Sequence, residues 1–189
     1  MTWMENIDNS WTLFLDRDGV INYESDTDYI REWESFHFLP GVIKSFSLFS
    51  SMFKRIFIVT NQKGIGKGLM TEADLLIINK NLVSEVEKAG GHIDKIYYCT
   101  ALDDQDPCRK PNNGMAIKAK EEFPEIDFSK SIMAGNTLGD MQFGKSSGMH
   151  TVFILSAKPC PPLPDPLVDM VCQDLAVLAK ALQKSVAAK

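Results

Sequence analysis

The chain has 189 residues, 44% of them hydrophobic, which is enough for one sizeable core and predicts a single domain over residues 1–189. Its formal charge of −5 and the lack of a long basic run argue against nucleic acid as a partner. No stretch approaches the roughly 18 consecutive apolar residues of a membrane span, and residues 1–10 are polar and acidic, so no membrane partner and a cytoplasmic monomer are expected.

Residues 11–15 read as a first strand that ends abruptly in Asp16-Arg17-Asp18-Gly19. Two carboxylates one residue apart after a buried strand fit a site at the carboxyl end of an open α/β sheet, and they equally fit a polar turn. Residues 23–38 are too irregular for a helix, and their aromatics suggest a loop or small hairpin folding over the strand end. Residues 42–49 are amphipathic and helical, and the apolar, β-branched run 55–59 is a second strand. Residues 60–68, with three glycines and two lysines, predict a loop that either faces an anion or is simply solvated.

Thr71 is a predicted N-cap, with Glu72 and Asp74 suited to the helix dipole. Leu75, Ile78, Leu82 and Val86 recur at helical spacing, and Gly90-Gly91 stop the helix near Ala89. Residues 93–99 are a third strand, 103–106 an acidic turn, and 112–123 a helix. Residues 132–134 form a short strand, 135–140 a loop and 141–147 a short helix. A strand over 151–155 closes a core of about 11–155. A proline-rich connector (159–166), an edge strand at 168–172 and a helix capped by Asp174 make up the closing segment 156–189. Alternating strands and helices predict an α/β fold, a mainly parallel sheet with helices on both faces. No interval is long enough for a large cap domain. The four cysteines lack CxxC pairing, and free thiols are expected.

Four strand ends thus carry Asp16 and Asp18, Thr60 and Asn61, Arg109 and Lys110, and Asn136 and Asp140. In a parallel sheet these ends share one rim, and their inventory suits phosphoryl transfer to an aspartate. A carboxylate approaching a phosphate dianion needs a cation and fixed donors to collect the charge. A phospho-receiver module, which uses similar residues, would carry its acceptor aspartate after the third strand, which here ends in Cys99-Thr100.

Phe14-Leu15-Asp16-Arg17-Asp18-Gly19, Val59-Thr60-Asn61-Gln62, Arg109-Lys110-Pro111 and Gly135-Asn136 through Asp140 resemble, in order, the four motifs of the haloacid dehalogenase-like (HAD) hydrolase superfamily. Within it, the chain resembles the capless branch that contains D-glycero-D-manno-heptose 1,7-bisphosphate phosphatase and histidinol-phosphate phosphatase. The resemblance implies a three-layer Rossmann-like fold and a Mg²⁺-dependent phosphatase for a small phosphomonoester, a sugar phosphate such as a heptose bisphosphate or alternatively histidinol phosphate. It implies Asp16 as nucleophile, Asp18 as acid and base, and Thr60, Asn61 and Lys110 as phosphate-binding residues. Asp26, Tyr29, Gln62, Lys63 and Arg109 would contact the rest of the substrate. Asp16, Asp18, Asn136 and Asp140 would form the metal site.

Two positions depart from the pattern. Asn136 stands where the motif has a metal-ligating Asp, and one charge at about 4 Å is worth up to roughly 4 kcal/mol at an effective dielectric near 20. A metal-impaired relative that binds phosphorylated ligands is the alternative this leaves open. The branch's zinc pattern is also incomplete: Cys99 and Cys108 are present, but position 101 is Ala and 106 is Asp, so no zinc is expected.

Overall fold

Six short apolar runs pair in parallel. The computed structural model describes residues 3–24, 28–155 and 158–187. Its strands are β1 (Thr12–Leu15), β2 (Arg55–Asn61), β3 (Lys95–Cys99), β4 (Ser131–Gly135), β5 (His150–Ile154) and β6 (Met170–Cys172). They lie in the order β3-β2-β1-β4-β5-β6, every neighbouring pair parallel. Strand order reverses beside β1, so the crevice such a sheet offers a ligand opens at that strand's carboxyl end. Leu15 pairs with Ile58 on one side and Ala134 on the other, which brings the residues just beyond them to one rim.

Side chains alternate between two cores with the period of a strand. Leu13, Leu15, Ile56, Ile58, Ile132 and Ala134 join the larger core, with α1 (Val42–Met52), α3 (Glu72–Lys88) and α6 (Leu175–Ala187). Phe14, Phe57, Val59 and Met133 join the smaller one, with α4 (Gly114–Glu122) and α5 (Leu138–Ser147). Each of the larger side chains, fully buried, contributes about 1.5–3 kcal/mol. Helices on both faces of one parallel sheet make the three-layer α/β arrangement. β6 and α6 complete the same sheet and core: Cys172, Leu175, Leu178 and Leu182 are all buried in it.

Several elements differ from the sequence expectation, each for a local reason. β2 runs on through Thr60 and Asn61 because Asn61 still pairs with Cys99, so these two residues lie on a strand and not in a loop. Lys63–Gly66 then makes one helical turn, α2, in place of the expected open loop. α5 starts at Leu138, three residues early, because Thr137 and Asp140 form a reciprocal capping box like that of Thr71 and Asp74 on α3. Segment 28–38 is a loop with one 3₁₀ turn, Trp33–Ser35. It returns to the strand end through an antiparallel bridge between Asn22 and Phe38.

Candidate active site

The rim beyond β1, β2 and β4 surrounds a cavity of about 450 Å³, lined by Asp16, Asp18, Thr60, Lys110 and Asp140 among others. At its base lies a buried charge cluster. The Lys110 ammonium is 2.7 Å from Asp16 Oδ1 and 2.5 Å from Asp140 Oδ1. Burial and the nearby Asp140 push the Asp16 carboxyl up to about 7, against the pull of Lys110. Burial opposes the Lys110 charge, yet Asp140 and Asp16 outweigh it and raise the ammonium's pKa. One cation thus serves two carboxylates.

Local structure explains how the cluster is held. Asp140 accepts from Lys110 with Oδ1, and from the Thr137 amide and hydroxyl with Oδ2 at 3.0 and 2.6 Å. Both oxygens are engaged, and Oδ1 fixes the Lys110 ammonium in place. Gly135 makes that approach possible, since a Cβ there would collide with the Asp140 carboxyl. Asn61, expected to bind phosphate, lines the cavity and clamps the Lys110 main chain: its Nδ2 donates to Lys110 O at 3.0 Å and its Oδ1 accepts from Lys110 N at 3.1 Å.

Asp18 is held from three sides. Arg17 donates to it through Nε and Nη2 (3.0–3.2 Å), Asn22 Nδ2 at 2.9 Å and Gln62 Nε2 at 3.1 Å. Gln62, expected to contact substrate, lines the cavity and also donates to Thr60 Oγ1 at 2.9 Å, so its Nε2 bridges two site residues. Arg17 is 1% exposed and serves as a counter-ion inside the fold. In the sequence it carries no signal beyond its place between two aspartates.

Around the mouth, cations and anions alternate. Arg109 Nε and Lys63 Nζ both face Asp104, at 2.8 and 3.5 Å. Lys158 Nζ meets Glu24 Oε1 at 2.6 Å. Tyr29 lines the cavity with Lys67 Nζ 5.4 Å from its ring centre. Asp26 lies outside the described residues. Glu24 and Lys158 had no sequence signal, one in an irregular loop and the other just before the proline-rich connector. Asn136 is 1% exposed behind Glu24, and its Nδ2 donates to Glu24 Oε2 at 3.4 Å.

The loop before Lys110 corrects one further expectation. Cys99 at the end of β3 and Cys108 form a disulfide, their Cα atoms 5.7 Å apart, where free thiols were expected. Residues 100–107 turn back on the strand and bring the two together, a geometry that CxxC spacing does not report. Asp106 is close by both sulfurs. Among the described residues, Cys160 and Cys172 are free.

A parallel sheet with this strand order, an Asp-x-Asp-Gly turn after its central strand and a lysine poised over the first aspartate define a HAD-type phosphatase, a phosphoric monoester hydrolase. The chain belongs to the family described as polynucleotide kinase 3 phosphatase, whose model matches residues 12–154. It is 40% identical over 144 residues to a D-glycero-α-D-manno-heptose-1,7-bisphosphate 7-phosphatase of Campylobacter jejuni, covering 76% of this chain and 81% of that one. It is 33% identical over 181 residues to the D-glycero-β-D-manno-heptose-1,7-bisphosphate 7-phosphatase of Escherichia coli, covering 91% and 93%. Its fold matches the crystal structure of a D,D-heptose 1,7-bisphosphate phosphatase from B. bronchiseptica complexed with magnesium and phosphate. The TM-score is 0.82 and the identity 26%, over 93% of this chain and 99% of that one.

Proposed function

We propose that the chain is a Mg²⁺-dependent phosphatase that removes a phosphate from a sugar bisphosphate, a heptose 1,7-bisphosphate, by way of an aspartyl-phosphate on Asp16. The observation that carries the chemistry is the Lys110 ammonium, buried 2.7 Å from Asp16 and anchored by Asp140. It presets a positive charge where a phosphoryl group would meet the nucleophile. The choice of sugar rests on the 33–40% identical relatives named as heptose-bisphosphate 7-phosphatases.

The donor set fits a divalent cation. Asp16, the Asn136 side-chain carbonyl and the Asp18 main-chain carbonyl offer hard oxygens, the ligands Mg²⁺ takes. When bound, the cation would neutralise charge on the phosphoryl oxygens and let the carboxylate approach them. No zinc enters this reading.

In the first step an Asp16 oxygen attacks phosphorus while the bond to the sugar oxygen breaks, and Asp18 delivers a proton to that oxygen. In the second, Asp18 takes a proton from water as the water oxygen attacks phosphorus, and the bond to Asp16 breaks to release phosphate. Thr60 Oγ1 and the Lys110 ammonium hold the phosphoryl oxygens, and Gln62 keeps Thr60 and Asp18 in register. Arg17, Asn22 and Gln62 fix the Asp18 carboxyl so that one group serves both steps. Arg109, Lys63 and Lys158 around the mouth suit the second phosphate of a bisphosphate.

The test is phosphate release from the α- and β-anomers of heptose 1,7-bisphosphate, histidinol phosphate and a 3′-phosphorylated oligonucleotide, with Mg²⁺ and with chelator. Mg²⁺-dependent release from a heptose bisphosphate supports the reading, and preference for histidinol phosphate or the oligonucleotide overturns the choice of substrate. Asn136 in place of Asp favours a second reading, a relative that binds phosphorylated ligands without turnover. Binding without release in the same panel would support it.

A further inference from the structure

Glu24 stands beside the neutral residue of the cation site. Asn136 follows β4 at the rim, and its side chain carries no charge. Its Nδ2 donates to Glu24 Oε2 at 3.4 Å, and that same oxygen would lie 2.9 Å from a Cβ on Gly19. The Glu24 carboxylate is therefore packed between Asn136 and the turn that directly follows Asp18. Gly19 has φ +79°, and a side chain there would collide with the Asn136 amide, so the three groups meet only because position 19 is glycine. Glu24 lines the same cavity as Asp16 and Asp18, and its side chain is 25% exposed, within reach of an entering ion. Its other oxygen already holds a cationic group, Lys158 Nζ at 2.6 Å.

We propose that Glu24 supplies the carboxylate that residue 136 lacks, so that the divalent cation is held by Asp16 and Glu24 with Asn136 orienting Glu24 through its amide. Lys158 is the resting counter-ion of Glu24 and competes with the divalent cation for it. The inference rests on the Mg²⁺-dependent reading above. It moves a ligand charge from the end of β4 to the loop after β1, which keeps the carboxylate count of the site unchanged. Affinity for a hard divalent cation follows the number of charged ligands, and a neutral residue 136 is then no impediment.

The experiment is a calorimetric titration with Mg²⁺, and with Mn²⁺ followed by the paramagnetic signal of the free ion, both without substrate. Wild type, Glu24→Gln, Asn136→Asp and the double variant are compared, with circular dichroism as the check on folding. Glu24→Gln is expected to weaken binding about tenfold or more, and Asn136→Asp added to it to recover most of the loss, because a carboxylate is returned to the site. Glu24→Gln affinity within about twofold of wild type overturns the inference, as does a loss that Asn136→Asp fails to recover. Lys158→Met leaves every carboxylate in place and is expected to tighten Mg²⁺ binding; unchanged or weaker binding contradicts the competition for Glu24. Wild-type protein that turns over substrate with Mg²⁺ while Glu24→Gln binds the ion normally overturns this inference alone. Wild-type protein that neither binds Mg²⁺ nor releases phosphate overturns the reading beneath it as well.

Discussion

Lys110 Nζ lies 2.5 Å from Asp140 Oδ1, and the two side chains are 4% and 2% exposed. The Asp140 carboxylate is itself anchored by the first turn of α5, so a helix cap sets the position of the charge that faces Asp16. Asp140→Asn keeps the shape and removes the anchor's charge. Turnover is expected to fall about 100-fold, because displacement of a positioned group by about an ångström costs that much. Steady-state kinetics on the preferred phosphomonoester check it, and a kcat within a few-fold of wild type would remove Asp140 from the account.

Lys110→Met is more severe. It leaves Asp16 and Asp140 buried without the cation between them, and removal of one partner from a buried ion cluster costs about 3–5 kcal/mol. The expected results are a lower urea midpoint and a turnover loss of about 10²–10³, the range for deleting one charge-stabilising donor.

Asn61 acts on Lys110 through the main chain. Asn61→Ala deletes both hydrogen bonds to Lys110 O and N. A stability loss of about 1–3 kcal/mol is expected. A role exercised through Lys110 predicts a loss in kcat that exceeds any rise in KM. A rise in KM alone would instead return Asn61 to phosphate binding.

Cys99 and Cys108 close a short loop just before Arg109 and Lys110. Alkylation of the unfolded chain without reductant is expected to label Cys160 and Cys172 alone, and all four cysteines after reduction. The loop-closure entropy of so short a ring is about 2–3 kcal/mol, so reduction should lower stability by that order. Four labelled thiols without reductant would contradict the bond.

Asp169 ties β5 to the segment before β6. Its Oδ2 accepts from Thr151 N at 2.9 Å, and both oxygens accept from Lys145 Nζ at 2.6 Å. Burial works against its charge, but Lys145 and the Thr151 amide outweigh it and hold the carboxyl below its usual range. A depressed folded-state pKa gives stability that is present above the unfolded value of about 3.9 and lost as pH falls through the folded value. Asp169→Asn should therefore cost about 1–3 kcal/mol at neutral pH and progressively less on acidification below about pH 4. Urea unfolding over that range checks both the size and the sign.

Much of the fold was legible because strand and helix periodicities report burial directly. Leu13 and Leu15 on one face of β1 and Phe14 on the other follow from alternation alone, as does the apolar stripe of α3. The residues gathered at the rim were legible as strand-end polar groups. Their partners were not: an amide such as Asn61 or Gln62 can face a ligand or its own chain, and only the register of β2 against β3 and the return of the 100–107 loop decide which. The Cys99–Cys108 bond depends on the same return. The cap that recruits Asp140 was within reach, since Thr137-Leu138-Gly139-Asp140 repeats the spacing of Thr71 and Asp74. Glu24 and Lys158 come from segments with no periodicity, and their meeting is a tertiary event.

The central claim is phosphoryl transfer to Asp16. Its most direct test is a single-turnover acid quench with substrate carrying a labelled phosphate, followed by peptide mapping, on wild type and Asp16→Asn. Transfer to Asp16 predicts transient protein-bound label on the peptide that contains Asp16, and neither label nor turnover in Asp16→Asn. Wild-type turnover with no protein-bound label at any quench time, or undiminished turnover in Asp16→Asn, would contradict it.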